Sequence, residues 1–365
     1  MKISEIISYL ETVAPTVYQE SYDNAGLLIG DRNTELKGVL LCLDATEAVV
    51  EEAIAGGCNL IIAHHPIVFG GLKRFNGNNY VERTVIKAIK NDVAIYAAHT
   101  NLDNVLKNGV NSKIAEKLGL QNCRILSPKK GVLKKLYTFV PLNAVEKVKD
   151  ALFNAGAGDI GNYSECSFSV SGIGTFKGSE QSNPTIGEKG KRHSEAEQKL
   201  EVILPVYLES AILKALFESH PYEEVAYELI TLDNSYKEIG SGLIGELPEA
   251  VSSLEFLKSL KFKMKTSSVR YTDTHKETVK KIALCGGSGS FLLKAAIAAE
   301  ADVFITGDFK YHEFFDAENR IIIADIGHFE SEQFTIELFY ELLSQKFPTF
   351  AFQQTNVRTN PVNYL

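Results

Sequence analysis

His64 and His65 stand side by side where the apolar run Asn59-Leu60-Ile61-Ile62-Ala63 ends, just before Pro66. A short β-branched run bounded in this way reads as a buried strand. Successive side chains of a strand point to opposite faces, so two adjacent imidazoles can face two different metal ions. The chain holds eight histidines, enough for one adjacent pair to arise by coincidence. A strand-end His is also more often solvated or capping than a ligand. Other groups must converge on the pair if it is to do chemistry.

The elements that would bring them there alternate. Val39–Leu43, Leu60–Ala63 and Val93–Ala98 read as strands, with helices at Thr46–Ala55, Tyr80–Lys90 and Val110–Leu118 between and after them. The last third repeats the style. Ile282–Cys285, Val303–Ile305 and Ile321–Ala324 read as strands, Ser290–Glu300 and Ser331–Gln345 as helices. Strands alternating with helices imply parallel βαβ units, and ligands of such sheets bind at the carboxyl ends of the strands. His64 and His65 lie at one such end; His99, Thr100, Asn101 and Asp103 lie at the next. Thr306, Gly307, Asp308, Lys310 and His312 follow a third, and Asp325, His328 and Glu332 a fourth.

His328 and Glu332 are four apart and share a helix face. Alone they would read as a capping His and a solvated Glu. Together with His64, His65 and Asp103 they form three imidazoles and two carboxylates, a donor set suited to Zn, Mn, Fe or Co. The longer Glu332 is the better bridge between two ions, and a two-metal site acidifies a shared water and clamps a displacement. His99 and His312 are candidate proton shuttles and Lys310 a candidate anion holder. Gly286-Gly287-Ser288-Gly289-Ser290 follows a strand and opens a helix. It reads equally as an anion-holding turn or as a tight packing turn. It lacks the Walker Lys, and Leu292 stands where the dinucleotide fingerprint needs Gly. His193 and His275 fall in polar stretches and are expected to face solvent.

The middle third differs. Leu136–Pro141 and Leu200–Pro205 are each a strand ended by Pro and followed by a helix, Asn143–Asn154 and Glu209–Ser219. This duplication suggests a split-βαβ, ferredoxin-like module. The polar stretch Lys177–Lys199 is an exposed hairpin or loop. The expected architecture is α/β: a parallel-sheet βαβ core of two similar halves, residues 1–125 and 237–365, interrupted by an α+β domain over 126–236.

Composition narrows the classes. With 365 residues and 45% hydrophobic content, the chain can bury a sizeable core. The net charge of -8 argues against non-specific nucleic-acid binding, yet leaves an anionic small substrate open because a metal inverts the local sign. The five Cys are odd in number and scattered, with no Cys-x-x-Cys. A reducing cytoplasm and a metal site of N and O donors follow. No signal peptide and no membrane span are apparent.

These pieces together resemble the Nif-three-like dinuclear-metal family, known also as GTP cyclohydrolase I type 2 homologues. The similarity runs nearly the whole chain. It is carried by Glu20–Gly30, Ala63-His64-His65-Pro66, Ala98–Asp103, Cys285–Ser290, Ile305–His312 and Gly327–Glu332. Tyr22-Asp23-Asn24 stands where Trp-Asp-Asn is common. The resemblance implies two divalent ions per subunit, one taken by His64 and His328 and the other by His65 and Asp103, with Glu332 bridging. It also implies a homohexameric ring. The middle segment looks like the PII/CutA-like insert of longer bacterial members, through Gly172–Phe176, Asn183–Gly187 and His220-Pro221-Tyr222-Glu223. The expected function is metal-dependent hydrolysis of a nucleotide or other phosphorylated small molecule by a metal-bridging hydroxide, with hydroxide attack on a purine imidazole ring as one version. The alternative is a non-catalytic metal-binding or regulatory assembly with a ligand-sensing insert.

Overall fold

Val39–Asp44 (β2) and Leu60–His65 (β3) are apolar almost throughout and buried on both faces, which is the state a central parallel strand requires. The computed structural model of the chain describes residues 1–273 and 276–365, so His275 lies outside the described residues. In it β2 pairs parallel with β3, and β3 with Ala94–Ala97 (β4). Phe352–Gln354 (β15) adds a parallel edge beside β2. Gly26–Ile29 (β1) closes the other edge antiparallel to β4, giving the order β1-β4-β3-β2-β15. Helices Glu47–Ala55 and Tyr80–Lys90 make the crossovers, capped by Thr46 and Asn79, whose side chains accept from Val49 and Glu82 N–H.

A second sheet has six strands. Thr278–Ser288 (β12), Val303–Gly307 (β13) and Ile322–Asp325 (β14) are parallel neighbours. Arg270–Tyr271 (β11) lies antiparallel to β14, and Tyr236–Ser252 (β10) antiparallel to β12. Gln121–Lys129 (β5) completes the order β11-β14-β13-β12-β10-β5. The core is thus two mixed sheets, each with the parallel centre expected of a βαβ core and with antiparallel strands added at its margins. The antiparallel strands carry Gly, Pro and charged residues, which blurred their periodicity; β10 alone contains Gly240, Gly242, Gly245 and Pro248.

Two helices also differ from their sequence reading. The segment after Ser290 begins as a 3-10 turn, Ser290–Leu292, and is α-helical only over Leu293–Ala298. The last helix is two pieces, His328–Glu332 and Thr335–Lys346. The first, five residues long, holds both His328 and Glu332.

The chain divides into two compact units, residues 1–128 with 237–365, and residues 129–236. The smaller unit has a four-stranded sheet. Leu133–Pro141 (β6), Ser167–Lys177 (β7), Arg192–Pro205 (β8) and Tyr227–Leu232 (β9) pair antiparallel throughout, in the order β7-β8-β6-β9. Helices Val145–Asn154 and Glu209–Ser219 follow β6 and β8, the βαββαβ order of a split βαβ. Leu136, Val140, Leu200, Val202 and Leu204 pack with Val148, Leu152, Ile212 and Leu216 from those helices. Arg192–Lys199 belong to the strand β8, so the connecting turn is only residues 178–191. His193 is half-buried there, 2.9 Å from Glu195.

Candidate metal centre

His64 and His65 are the last two residues of β3, and the strand's alternation sends them different ways. His64 is wholly buried. Its Nδ1–H donates to the Ala98 carbonyl at 2.8 Å, which leaves the Nε2 lone pair free. His65 turns its Nδ1 to Asp44 at 2.7 Å and its Nε2 to Glu332 at 2.9 Å. Asp103 ends a short helical turn, Thr100–Asp103, after β4. His328 and Glu332 come from the five-residue helix after β14.

Two donor groups result, both using Glu332. His65, His328 and Glu332 form one, and His64, Asp103 and Glu332 the other; within each, all donor atoms lie within 4.8 Å of one another. His328 Nε2 is 3.1 Å from Glu332 Oε2 and 3.4 Å from His65 Nε2. His64 Nε2 is 3.6 Å from both Asp103 Oδ1 and Glu332 Oε1. All five residues of the expected set therefore meet, but in a different pairing from the one the resemblance implies. His65, not His64, faces His328, and His64, not His65, faces Asp103. The anchors explain this, because Ala98 C=O and Asp44 each fix one ring nitrogen and so aim the other.

Carboxylates steady the rings from behind, which fixes tautomer and orientation in metal sites. Asp308 Oδ2 is 2.6 Å from His328 Nδ1. Asp23 Oδ1 is 2.8 Å from His99 Nδ1, and its other oxygen accepts from Thr100 N–H and Oγ1–H. His99 joins His64 and His65 in a third donor group, its ring 5.3 Å and 5.4 Å from theirs.

Burial and the close carboxylates set the titration of these groups. Burial holds His64 neutral, below its ordinary pKa. Burial also works against the charged form of His65, but Asp44 and Glu332 outweigh it and hold the ring at about 9. For His328, Asp308 and Glu332 overcome burial and raise it to about 11. Burial, then the neighbouring Glu332 charge, pushes Asp103 well above the carboxylate range. Glu332 stays ionised despite burial because three imidazoles surround it. Two buried atoms facing one another, His64 Nε2 and Asp103 Oδ1, have no hydrogen-bond partner. A divalent ion satisfies both at once, so the donors present fit one.

Glycines make the room. A Cβ on Gly287 would stand 2.4 Å from Glu332 Oε1, and one on Gly307 only 2.8 Å from the His328 backbone nitrogen. The Gly286–Ser290 turn therefore serves packing at its start. The Gly286 N–H donates to Asn111 and the Gly287 N–H to Ser331, so neither is free for an anion. Gly307→Ala is expected to cost about 1–3 kcal/mol, because the new methyl meets backbone that cannot yield. Thermal denaturation with and without added metal would register it, together with weaker metal retention.

Lys310 and His312 are not at the cluster. Both are exposed around the 3-10 turn Tyr311–Ala317, where Asp308 at φ 61 turns the chain away from the β13 end. Neither lines the cavity of about 730 Å³ that opens on the donors. Its one Lys or Arg among the described lining residues is Arg270, which also bonds Asp325 and the Phe309 carbonyl. Sequence reasoning missed Asp44, although it sits at the carboxyl end of β2 where the strand-end rule points. It also missed the C-terminal tail, in which Thr359 donates to Asp44 and Asn360 to Glu330. No periodicity or motif marked that tail.

Comparison with known proteins finds similarity along nearly the whole chain. The model of the Duf34/NIF3 (NGG1p interacting factor 3) family matches residues 1–361. A Bacillus subtilis (strain 168) protein named GTP cyclohydrolase 1 type 2 homolog is 40% identical over 327 residues, 89% of this chain and 87% of that protein. One of the same name from Staphylococcus epidermidis is 37% identical over 372 residues, spanning all of both chains. Among solved structures, a Bacillus cereus protein related to NIF3 superposes with a TM-score of 0.85 at 38% identity, covering 100% of this chain and 99% of that one.

Proposed function

The chain belongs to the Duf34/NIF3 family, and on that premise we propose that it holds two divalent metal ions and uses them to hydrolyse a nucleotide or other phosphorylated small molecule. The observation that carries the reading is the facing pair of buried, unpartnered donors, His64 Nε2 and Asp103 Oδ1, beside a carboxylate shared by three imidazoles. His64 and Asp103 would hold one ion, His65 and His328 the other, and Glu332 both. When bound, such ions lower the pKa of a coordinated water and polarise the group under attack.

The chain's own residues supply the rest. Asp23 fixes His99 with its Nδ1 occupied, which leaves Nε2 as the atom to accept or return a proton. Tyr22, Phe69 and Tyr80 line the cavity with largely exposed rings, flat surfaces against which a heterocycle can stack and shed water. Arg270 is placed to meet an anionic group, the task first given to Lys310. GTP is the first substrate to offer, since the relatives' name supplies it. A homohexameric ring and a PII/CutA-like role for residues 129–236 belong to the same proposal.

The test is metal analysis of the purified protein followed by turnover assays with GTP and a phosphoester panel. Turnover should fall to background on chelation, return with Zn, Mn, Fe or Co, and be absent in Glu332→Gln. Equal turnover in wild type and variant would reject hydrolysis at this site. Full metal loading with no turnover on any substrate would favour the non-catalytic assembly instead.

A further inference from the structure

The smaller unit holds a second cavity, about 1010 Å³, on the sheet face opposite its helices. Even-numbered residues of β6 and β8, such as Leu136, Val140, Leu200 and Val202, pack in the core with the helices. Odd-numbered Phe139, Glu197, Lys199 and Glu201 line this cavity. The 178–191 turn walls it off, tied down by the Asn183 N–H donating to Glu223 Oε1 and the Thr185 hydroxyl donating to the Pro221 carbonyl, both at 2.7 Å.

At its base lies Glu197, only 8% exposed. One carboxylate oxygen accepts from the Tyr222 hydroxyl at 2.9 Å. No ion pair neutralises the carboxylate among the described residues. The other oxygen occupies space that exists only because residue 174 is Gly; a Cβ there would stand 2.0 Å from it. The His220-Pro221-Tyr222 segment builds the arrangement. His220 Nε2–H donates to the Phe139 carbonyl at 3.0 Å, and its Nδ1 accepts from the Tyr222 N–H at 3.1 Å, which aims the phenol at Glu197. A buried carboxylate with one neutral donor is costly unless a cation answers it.

We propose that this cavity binds a small organic cation, a primary amine or guanidinium, whose N–H groups donate to Glu197. Glu201 is paired with Lys199 at 3.0 Å and with Lys135 at 2.8 Å, which leaves Glu197, Glu223 and Glu224 against Lys177 in the lining. The field inside is therefore negative. Phe176 and Tyr222, rings 6.1 Å apart, both line the cavity, and aromatic rings attract a cation. A metal is disfavoured, because clusters of three ligating groups occur among the described residues only around His64 and His65. The size is that of a small-molecule site.

Titration calorimetry of the full-length protein with tyramine and agmatine tests this, with 4-ethylphenol as the neutral analogue of tyramine. At least one amine should bind saturably, with and without chelator, and 4-ethylphenol should not. Glu197→Gln keeps the shape and should weaken binding about tenfold or more, the loss of a charge-assisted hydrogen bond. Gly174→Ala, which pushes the carboxylate aside at the end of a flexible side chain, should do the same, with circular dichroism confirming the fold. The proposal is overturned if neither amine binds, if Glu197→Gln binds as wild type does, or if binding is lost in Glu332→Gln and kept in Glu197→Gln.

Discussion

Glu332→Gln is expected to leave the protein nearly free of metal after dialysis against a defined zinc solution. One carboxylate here meets three imidazoles: its Oε2 is 2.9 Å from His65 and 3.1 Å from His328, its Oε1 3.6 Å from His64. Glutamine preserves the shape but replaces one donor oxygen with an amide nitrogen that cannot ligate. Loss of even an outer partner of a metal ligand lowers affinity about 10–100-fold, and the shared carboxylate should exceed that. Elemental analysis of both proteins reads the result. Undiminished metal content in the variant would remove Glu332 from the ligand set. Asp103→Asn should lose the ion at His64 and keep the one at His65 and His328, because the two groups share only Glu332. Without metal, Glu332→Gln also removes the carboxylate that, together with Asp44 and Asp308, holds His65 and His328 charged with their Nε2 atoms 3.4 Å apart. Breaking a buried ionic cluster in this way costs about 3–5 kcal/mol, so the metal-free variant should unfold well below metal-free wild type.

Asp23→Asn should cost about 2 kcal/mol at neutral pH and flatten the acid limb of the stability curve. Burial alone would raise the Asp23 pKa, but hydrogen bonds from His99 and Thr100 lower it from 3.8 to about 2. A group depressed on folding stabilises the native state fully above its unfolded value. That contribution is lost as pH falls through the folded value, so the window runs from about pH 4 to about pH 2. Urea titrations at pH 7 and at pH 2 should show the wild-type advantage at the first and little at the second. An equal gap at both would mean that Asp23 acts through packing. The same change removes the carboxylate that orients His99. If His99 carries the proton, turnover should drop about 100-fold or more.

Much of this site is legible in the chain because strand alternation and the strand-end rule are local. Asn59–Ala63 announces a buried strand, and His64-His65 must then splay to opposite sides. Four-residue spacing puts His328 and Glu332 on one face whatever surrounds them. The paired strand-Pro-helix segments at Leu136 and Leu200 likewise foreshadow the βαββαβ sheet. Strands β10 and β5 were not legible, because their partners are set by long-range pairing, and neither the Gly-rich β10 nor the mixed polar and apolar β5 has a period of its own. Lys310 and His312 looked right by position along the chain, yet the reversal at Asp308 carries them outward.

Residue types and strand-end positions alone mark the candidate donors, three imidazoles and two carboxylates. How these candidates pair is set by packing in three dimensions. His64 goes with Asp103 and His65 with His328 because the Ala98 carbonyl and Asp44, residues distant in sequence, each bind one ring nitrogen and direct the other. Ring orientation is a property of what packs behind a histidine, and spacing along the chain carries no record of it.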